Sequence, residues 1–504
     1  MSDIILSTIN ASYIHASLGL RYLYANLGDL QEKCVIKEFT IKDQALDIVE
    51  SLLKDNPKII GLGVYIWNSL ETEAVVSQIK AVAPEVTIIL GGPEVSYETE
   101  SQPLVRFVDY VLTGPADLSF PKLCKSILQN NAPDKKVLNS KPIDLSDLQP
   151  PYEYFTDEDL KSRVLYVEAS RGCPFKCEFC LSALDDNAYP FELQNFLEQM
   201  DVLYQRGARN FKFIDRTFNL KINTTLAILD FFLERLDDNL YLHFELIPDH
   251  LPERLKQTLK KFPTHSLQFE IGIQSFNEKV QTLISRKQKN QLSIDNIIWL
   301  RQNTQAHLHA DLIFGLPGET LETFEQSFNQ LYACQPHEIQ LGILKRLKGS
   351  PIIRHTEEFD LRFNPLPPYN ILSTDRIDFN TMQRVNRFAR YWDMIGNSGR
   401  FKNLLPYLLD TDNPFKDFLA LSDWIFHKTG QTHKINLKKL YELVAQATDV
   451  LFPNRHDRLI GALESDYQQS GQKGSFKGLQ LYSEDNTPAT KVGRVNLRQQ
   501  RHLS

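Results

Sequence analysis

The sequence predicts an α/β protein in three parts: a doubly wound parallel sheet, a partial (β/α)6 barrel and a mostly helical C-terminal region. Short apolar runs alternate with helix-period stretches through residues 1–130, and the same alternation resumes at residue 164. Beyond about residue 360 the apolar spacing turns purely helical and rich in aromatics, as in MQRVNRFARYWDMIGNSGRF.

In residues 1–130 the strands are IILSTI, CVIKEFT, KIIGLGVYIW, VTIILGG and YVLTG. Between them SLGLRYLYANL, QALDIVESLLKD, ETEAVVSQIKAVA and FPKLCKSILQ read as helices. Strands apolar at consecutive positions are buried on both faces, and ligands of such sheets sit beyond the strand carboxyl ends. Those ends carry small or turn-forming residues: Asn10-Ala11-Ser12, Gly91-Gly92-Pro93 and Gly114-Pro115. Residues 131–163, rich in Pro, Asp, Asn and Ser, read as a surface linker.

From residue 164 to 359, RVLYVEAS, NFKFIDRTF, YLHFELI, SLQFEIGIQ, HLHADLIFG and EIQLGIL are six strands with amphipathic stretches between them. Six βα repeats predict a sheet curled into part of a barrel, its reactive ends again at the strand C-termini. Residues 360–470 form the helical region, and the polar, aperiodic stretch 471–504 is expected to be a flexible tail.

Composition narrows the function. With 504 residues, 42% apolar and 24% charged, the chain can bury more than one core. Its net charge of −7 argues against an extended polyanion-binding surface, so nucleic acid is a disfavoured partner. The start MSDIILSTIN is not a basic segment followed by an apolar one, and no apolar run of about 18 residues occurs. The expectation is a cytoplasmic protein without membrane contact. Cys34, Cys124 and Cys334 fall singly in strand or helix patterns, as buried small hydrophobes do.

The other three of the six cysteines lie in RGCPFKCEFC, residues 171–180, spaced C-x3-C-x2-C after the first strand of the predicted barrel. A structural zinc site is closed by four protein ligands, and an electron-transfer cluster also takes four. Three thiolates on one short loop suit a cubane cluster with one iron left for a ligand. Arg171 beside them offsets thiolate charge or is a solvated surface residue.

This loop resembles the signature of the radical SAM superfamily, C-x3-C-x-aromatic-C. The resemblance implies a TIM-type partial barrel in which Cys173, Cys177 and Cys180 hold a [4Fe-4S] cluster and its open iron chelates S-adenosylmethionine. One electron then cleaves the sulfonium to a 5′-deoxyadenosyl radical. It places Phe179 near the adenine and Asp215, in FIDRTFN, near the methionine amino group or the substrate. FEIGIQSFN and ADLIFGLPGET resemble the fourth and fifth strands of the coproporphyrinogen dehydrogenase branch. There Glu270 and Gln274, four apart and hence on one strand face, face the ribose or carboxylate of S-adenosylmethionine, and Gly315, Pro317 and Gly318 let backbone approach the adenine. Glu319 reads as a helix-capping acid.

The first domain, through TINASYIHASLGLRYL and LGGPEVSYE, resembles the Rossmann-like cobalamin-binding domain of B12-dependent radical SAM enzymes. The corrin contacts this implies are Asn10, Ser12, Tyr13, Gly63, Gly91, Gly92, Pro93 and Gly114. Two departures stand out. The D-x-H-x-x-G signature is absent around His15, which argues against an axial histidine, and TGPAD replaces the Gly-Glu-Gly of relatives. The C-terminal region resembles an extension found in an uncharacterised subgroup of the same proteins. The implied activity is radical methylation of an unactivated carbon of a small-molecule substrate, with cobalamin as methyl donor and a flavodoxin or ferredoxin as reductant. Alternatives are cobalamin-dependent ring contraction, cobalamin-independent chemistry on tetrapyrrole or RNA, and a non-catalytic cofactor-binding protein. His307 and His309 on their strand have no assigned role, and His427 and His433, six apart, do not share a helix face.

Overall fold

The computed structural model describes residues 2–472 and 497–503. The chain divides into two compact units. One comprises Met1–Arg216 with Lys345–Ile353 and Asn364–Asn370, and the other Thr217–Leu344 with Arg354–Phe363 and Ile371–Ser504.

The first unit opens with β1 (Ile4–Asn10), α1 (Leu18–Ala25), β2 (Cys34–Thr40), α2 (Ala45–Leu53), β3 (Ile59–Gly63), α3 (Ser69–Val82) and β4 (Thr87–Gly91). It continues with β5 (Tyr110–Thr113), α4 (Ser119–Leu128) and β6 (Val137–Asn139). The six strands form one parallel sheet in the order β2-β1-β3-β4-β5-β6. Side chains alternate along each strand, so the sheet feeds two separate cores. Ile5, Ile9, Ile60, Leu62, Ile88 and Leu90 pack with α2 and α3 on one face, while Ile4, Leu6, Ile59 and Ile89 pack with α1 and α4 on the other. This is the doubly wound arrangement expected. The strand order reverses between β1 and β3, where such sheets open a crevice.

Residues 131–163 carry more structure than a bare linker: β6 pairs in parallel with β5, and α5 (Asp157–Ser162) begins on a capping box at Thr156. Arg21 on α1 donates to Glu38 at 3.1 Å and to Asp159 at 2.7 Å, and Arg163 to Glu38 at 2.9 Å. Burial is the largest single influence on the Asp159 carboxyl and raises it, but the Arg21 charge and the hydrogen bonds from Thr156 and Arg21 together outweigh it, and the net shift is down.

Next come β7 (Leu165–Val167), β8 (Ser170–Gly172), β9 (Ala188–Pro190), α6 (Leu193–Gln205) and β10 (Asn210–Phe213). β7 pairs in parallel with β10, and β8 with β9 as an antiparallel ribbon. Two later segments return to this unit. Lys348 reaches buried Glu94 at 3.1 Å, the Tyr369 hydroxyl donates to Glu94 at 2.7 Å, and Arg346 pairs with Glu98 at 2.8 Å.

The second unit begins with α7 (Ile222–Leu233), β11 (Tyr241–Leu246), α8 (Glu253–Leu259), β12 (Leu267–Gln274), α9 (Glu278–Leu283) and α10 (Asn290–Asn303). It continues with β13 (His307–Phe314), α11 (Leu321–Ala333) and β14 (Glu338–Ile343). β11 to β14 pair in parallel in chain order. Each of the six strands expected after residue 164 therefore forms.

A short pair, β15 (Arg362–Phe363) and β16 (Ile371–Ser373), precedes the helical region. That region comprises α12 (Phe379–Ile395), α13 (Leu405–Leu408), α14 (Pro414–Thr429), α15 (Leu437–Leu451) and α16 (His456–Gln469). Its aromatics pack on α11: Phe328 meets Trp392 at 4.9 Å between ring centres and Phe415 at 5.6 Å, and Phe388 stacks on Phe415 at 4.7 Å. Of the stretch 471–504 expected to be flexible, residues 473–496 and 504 lie outside the described ones. Leu497–Leu503 forms a helix, α17. Among the described residues no helix is long and apolar enough to cross a membrane.

Candidate active site

The cysteine loop is built by its flanks. Gly172 ends β8 with a φ of 92°, and a Cβ there would clash with the Asn187 carbonyl oxygen, so only glycine lets the ribbon close the loop at its base. Asp215, just past β10, fixes the approach to the loop: its carboxylate accepts the Ala169 N–H at 3.0 Å and the Ser170 hydroxyl at 2.6 Å. It is 3% exposed, and burial pushes its carboxyl up to about 7 against those two hydrogen bonds. Inside the loop the Cys180 N–H donates to the Cys177 carbonyl at 3.0 Å, and the Lys176 ammonium donates to the carbonyls of Ala183 and Asp185.

Cys173 is buried, Cys177 and Cys180 are half-buried, and Phe179 between them is half-buried too. Burial pushes the Cys173 thiol up, and the neighbouring Cys180 and Cys177 add to the rise. Three sulfurs on one short loop are a donor set for an iron–sulfur cluster. Arg171 is neither spent on the thiolates nor a solvated surface residue. Its guanidinium donates to Glu168 at 2.8 Å and to both Asp117 oxygens at 3.1 and 3.2 Å, and lies 4.4 Å from the centre of the Tyr22 ring.

Beyond the strand ends of the first sheet lies a cavity of about 740 Å³. Asn10, Gly63, Gly91, Gly92 and Gly114 line it, at the reversal point of the strand order. A Cβ on Gly91 would meet no heavy atom nearer than 3.8 Å, so this glycine leaves room for an occupant rather than for packing. Tyr65 and Trp67 stack 4.5 Å apart on the wall, and His15, also on the wall, has its Nδ1 2.6 Å from the Tyr166 hydroxyl. Arg171, Gly172 and Ser182, which flank the cysteines, line the same cavity. Cavities of this size hold ligands of several hundred daltons. The predicted contacts Ser12, Tyr13 and Pro93 are not among the lining residues. Tyr13 is exposed beneath the Arg163 guanidinium, and Pro93 is exposed as well.

The remaining predicted residues belong to the second unit. Glu270 is paired with the His243 imidazole at 2.9 Å. A bulge between Gly272 and Gln274 interrupts the strand alternation on which the shared face of Glu270 and Gln274 was inferred, and Gln274 takes a φ of 68°. Gly315 and Gly318 have φ of 90° and 75°, with buried Pro317 between them. A Cβ on Gly315 would sit 2.7 Å from Ile371, so close packing already requires glycine there. Glu319 does not cap the following helix, whose N-cap is Thr320; it folds back to accept the Gly315 N–H at 2.9 Å, and burial pushes its carboxyl up to about 8. Three features had no sequence signal: Arg171 as a bridge, His15 on the cavity wall, and the return of residues 345–353 and 364–370 to the first unit.

The chain matches three protein families: the B12 binding domain over residues 5–123, the Radical SAM superfamily over 167–331, and a protein family of unknown function, DUF4080, over 357–502. It is 25% identical over 336 residues to the uncharacterized methyltransferase PH0819 of Pyrococcus horikoshii, covering 61% of this chain and 71% of that one. It is 23% identical over 349 residues to the cobalamin-dependent radical SAM methyltransferase TokK of Streptomyces tokunonensis, covering 60% of this chain but only 49% of that protein. In fold it resembles the radical S-adenosylmethionine methyltransferase TsrM from Kitasatospora setae with cobalamin and [4Fe-4S] cluster bound, at a TM-score of 0.60 and 16% identity over 94% of this chain and 100% of that one. It also resembles the cobalamin-dependent S-adenosylmethionine radical enzyme OxsB with aqua-cobalamin and S-adenosylmethionine bound, at 0.64 and 14% over 94% and 82%. The chain is a radical SAM enzyme with a B12-binding domain ahead of its radical SAM domain.

Proposed function

We propose that this enzyme is a cobalamin-dependent methyltransferase acting on an unactivated carbon of a small molecule. The observation that carries it is the shared wall in the first unit: the residues flanking Cys173 and Cys180 line the cavity over the strand ends. A reaction that joins two cofactors needs their sites to border one another.

When bound, the cluster and cobalamin would supply an electron for cleaving S-adenosylmethionine and a methyl group for transfer. The protein does the rest. Cys173, Cys177 and Cys180 hold the cluster, and Phe179 packs beside the bound nucleoside. Asp215 keeps the loop in place through Ala169 and Ser170. The stacked Tyr65 and Trp67 and the glycine floor bind a flat cofactor and exclude water. Glu270, Gln274, Gly315, Pro317 and Gly318 are assigned to S-adenosylmethionine, and Asn10, Gly63, Gly91, Gly92 and Gly114 to cobalamin. Radical SAM enzymes take their electron from an external reductant, here a flavodoxin or ferredoxin. Six free cysteines suit the reducing cytoplasm.

Anaerobic reconstitution tests this reading. Protein given iron, sulfide, hydroxocobalamin, S-adenosylmethionine and dithionite should retain cobalamin in its visible spectrum and release 5′-deoxyadenosine. Cys177→Ala should release none. Gly91→Leu, which fills the cavity floor, should lose cobalamin while still cleaving S-adenosylmethionine. Cobalamin binding unaffected by Gly91→Leu would move the corrin elsewhere, and full cleavage by Cys177→Ala would overturn the cluster assignment.

A further inference from the structure

The foot of the second unit's sheet holds polar groups that the proposed reaction does not use. His307 is the first residue of β13 and Glu338 the first of β14, so both lie at strand N-terminal ends, away from the Gly315–Gly318 turn that follows β13. α17 brings His502 to them. One ligand-capable atom from each of the three lies within 4.8 Å of the others. Nε2 of His307 is 3.6 Å and Nε2 of His502 3.5 Å from the same Glu338 oxygen, Oε1. Zinc bonds of about 2.0–2.1 Å in a tetrahedron separate their ligand atoms by about 3.3–3.4 Å. The three side chains are therefore spaced for one ion with little rearrangement.

A second observation is independent of this spacing. His307 is 1% exposed, and neither of its ring nitrogens has a hydrogen-bond partner. At 3.6 Å the nearest carboxylate oxygen is beyond hydrogen-bond range. Buried polar atoms are normally satisfied, and an imidazole left so calls for a partner, of which a metal ion is one.

We propose that His307, Glu338 and His502 bind one divalent transition ion of the zinc class, which fastens α17 to the feet of β13 and β14. The surroundings support the carboxylate as a ligand: Arg498 donates to Oε1 at 3.0 Å and to Oε2 at 2.8 Å, fixing its orientation from outside. His502 Nε2 donates to the Asn397 carbonyl at 2.7 Å in the metal-free chain. Coordination moves that proton to Nδ1, a tautomer exchange without net charge, and the Asn397 carbonyl keeps the Arg498 Nε–H at 2.9 Å. His337, whose ring centre is 4.9 Å from that of His307, is excluded as a ligand. Its Nδ1 accepts the Leu308 N–H at 3.0 Å, so its proton sits on Nε2. Water fills the fourth position, as in other sites with two histidines and a carboxylate.

The test uses untagged full-length protein in which Cys173, Cys177 and Cys180 are alanine, so that the thiols cannot take up the probe. Equilibrated with zinc and desalted, this protein should carry one zinc per chain by elemental analysis. Cobalt(II) in its place should give the intense visible bands of tetrahedral coordination. His502→Ala, at the edge of the fold, should lower zinc affinity by more than about tenfold and speed amide exchange in α17. His307→Ala probes the same ion from the buried side, and His502→Ala carries the test if that variant fails to fold. Less than one zinc per chain in the parent, or zinc affinity unchanged in His502→Ala, would overturn the site.

Discussion

The two units differ in how they meet their buried carboxylates and imidazoles. In the first, Glu38 and Asp159 are met by Arg21 and Arg163, Glu168 and Asp117 by Arg171, and Glu94 by Lys348 and Tyr369. In the second, His307, His309 and His337 each keep a buried ring nitrogen without a hydrogen-bond partner at the foot of β13 and β14. Burial holds His337 down at about 3 and His309 at about 4, and pushes His307 lower still, so these rings stay neutral across the physiological range. A unit whose charges are internally matched is finished by its own side chains. A unit with neutral, unmatched donors and acceptors is finished by something else.

Substitutions turn this contrast into numbers. The largest effect should come from Arg21→Leu, which takes one guanidinium from two buried carboxylates and leaves them to Arg163; it should cost about 3–5 kcal/mol, read as a lower urea midpoint of the cofactor-free protein. An unchanged midpoint would break the idea that the first unit depends on matched charge. Next is the pH dependence set by Asp215. Its folded value, about 7, lies above its ordinary 3.8, so between those values the folded state binds more protons than the unfolded one. Stability is therefore full below about pH 4 and falls as pH rises to about 7, by on the order of 4 kcal/mol. Asp215→Asn should flatten that stretch of the stability profile, and a slope that persists would assign it to another group.

Smaller effects sharpen the second unit. Glu319→Ala removes the acceptor of the Gly315 N–H and should cost about 1–3 kcal/mol in thermal unfolding, whereas Glu319→Gln keeps the bond and should cost less. His307→Leu should move the metal-free protein by no more than about 1 kcal/mol, since an apolar side chain replaces an unpartnered one. A loss as large as that of Arg21→Leu would mean that His307 is already satisfied, and the two units would no longer differ.

Much of the fold was legible because consecutive apolar residues announce strands buried on both faces, as IILSTI and VTIILGG do. The cysteine loop was legible because its spacing is local. β6 was not, since three residues are too few to display a period. α17 was hidden by its polar composition: ion pairs and hydrogen bonds from Arg498, Arg501 and His502 hold it. Arg171 was weighed as a partner of its neighbours in sequence, whereas Asp117 lies 54 positions away. The bulge at Gly272–Gln274 broke the alternation used to pair Glu270 with Gln274, and nothing in FEIGIQ signals where a strand will slip.

The return of residues 345–353 and 364–370 to the first unit has a consequence for synthesis. That unit is topologically whole only when Asn370 has left the ribosome, about 150 residues after Arg216. At about 5–20 residues per second this leaves roughly 8–30 s in which Glu94 waits for Lys348 and Tyr369. The nascent B12-binding domain passes that interval with an unpaired acid on its surface, in a form that a chaperone can distinguish from the finished one.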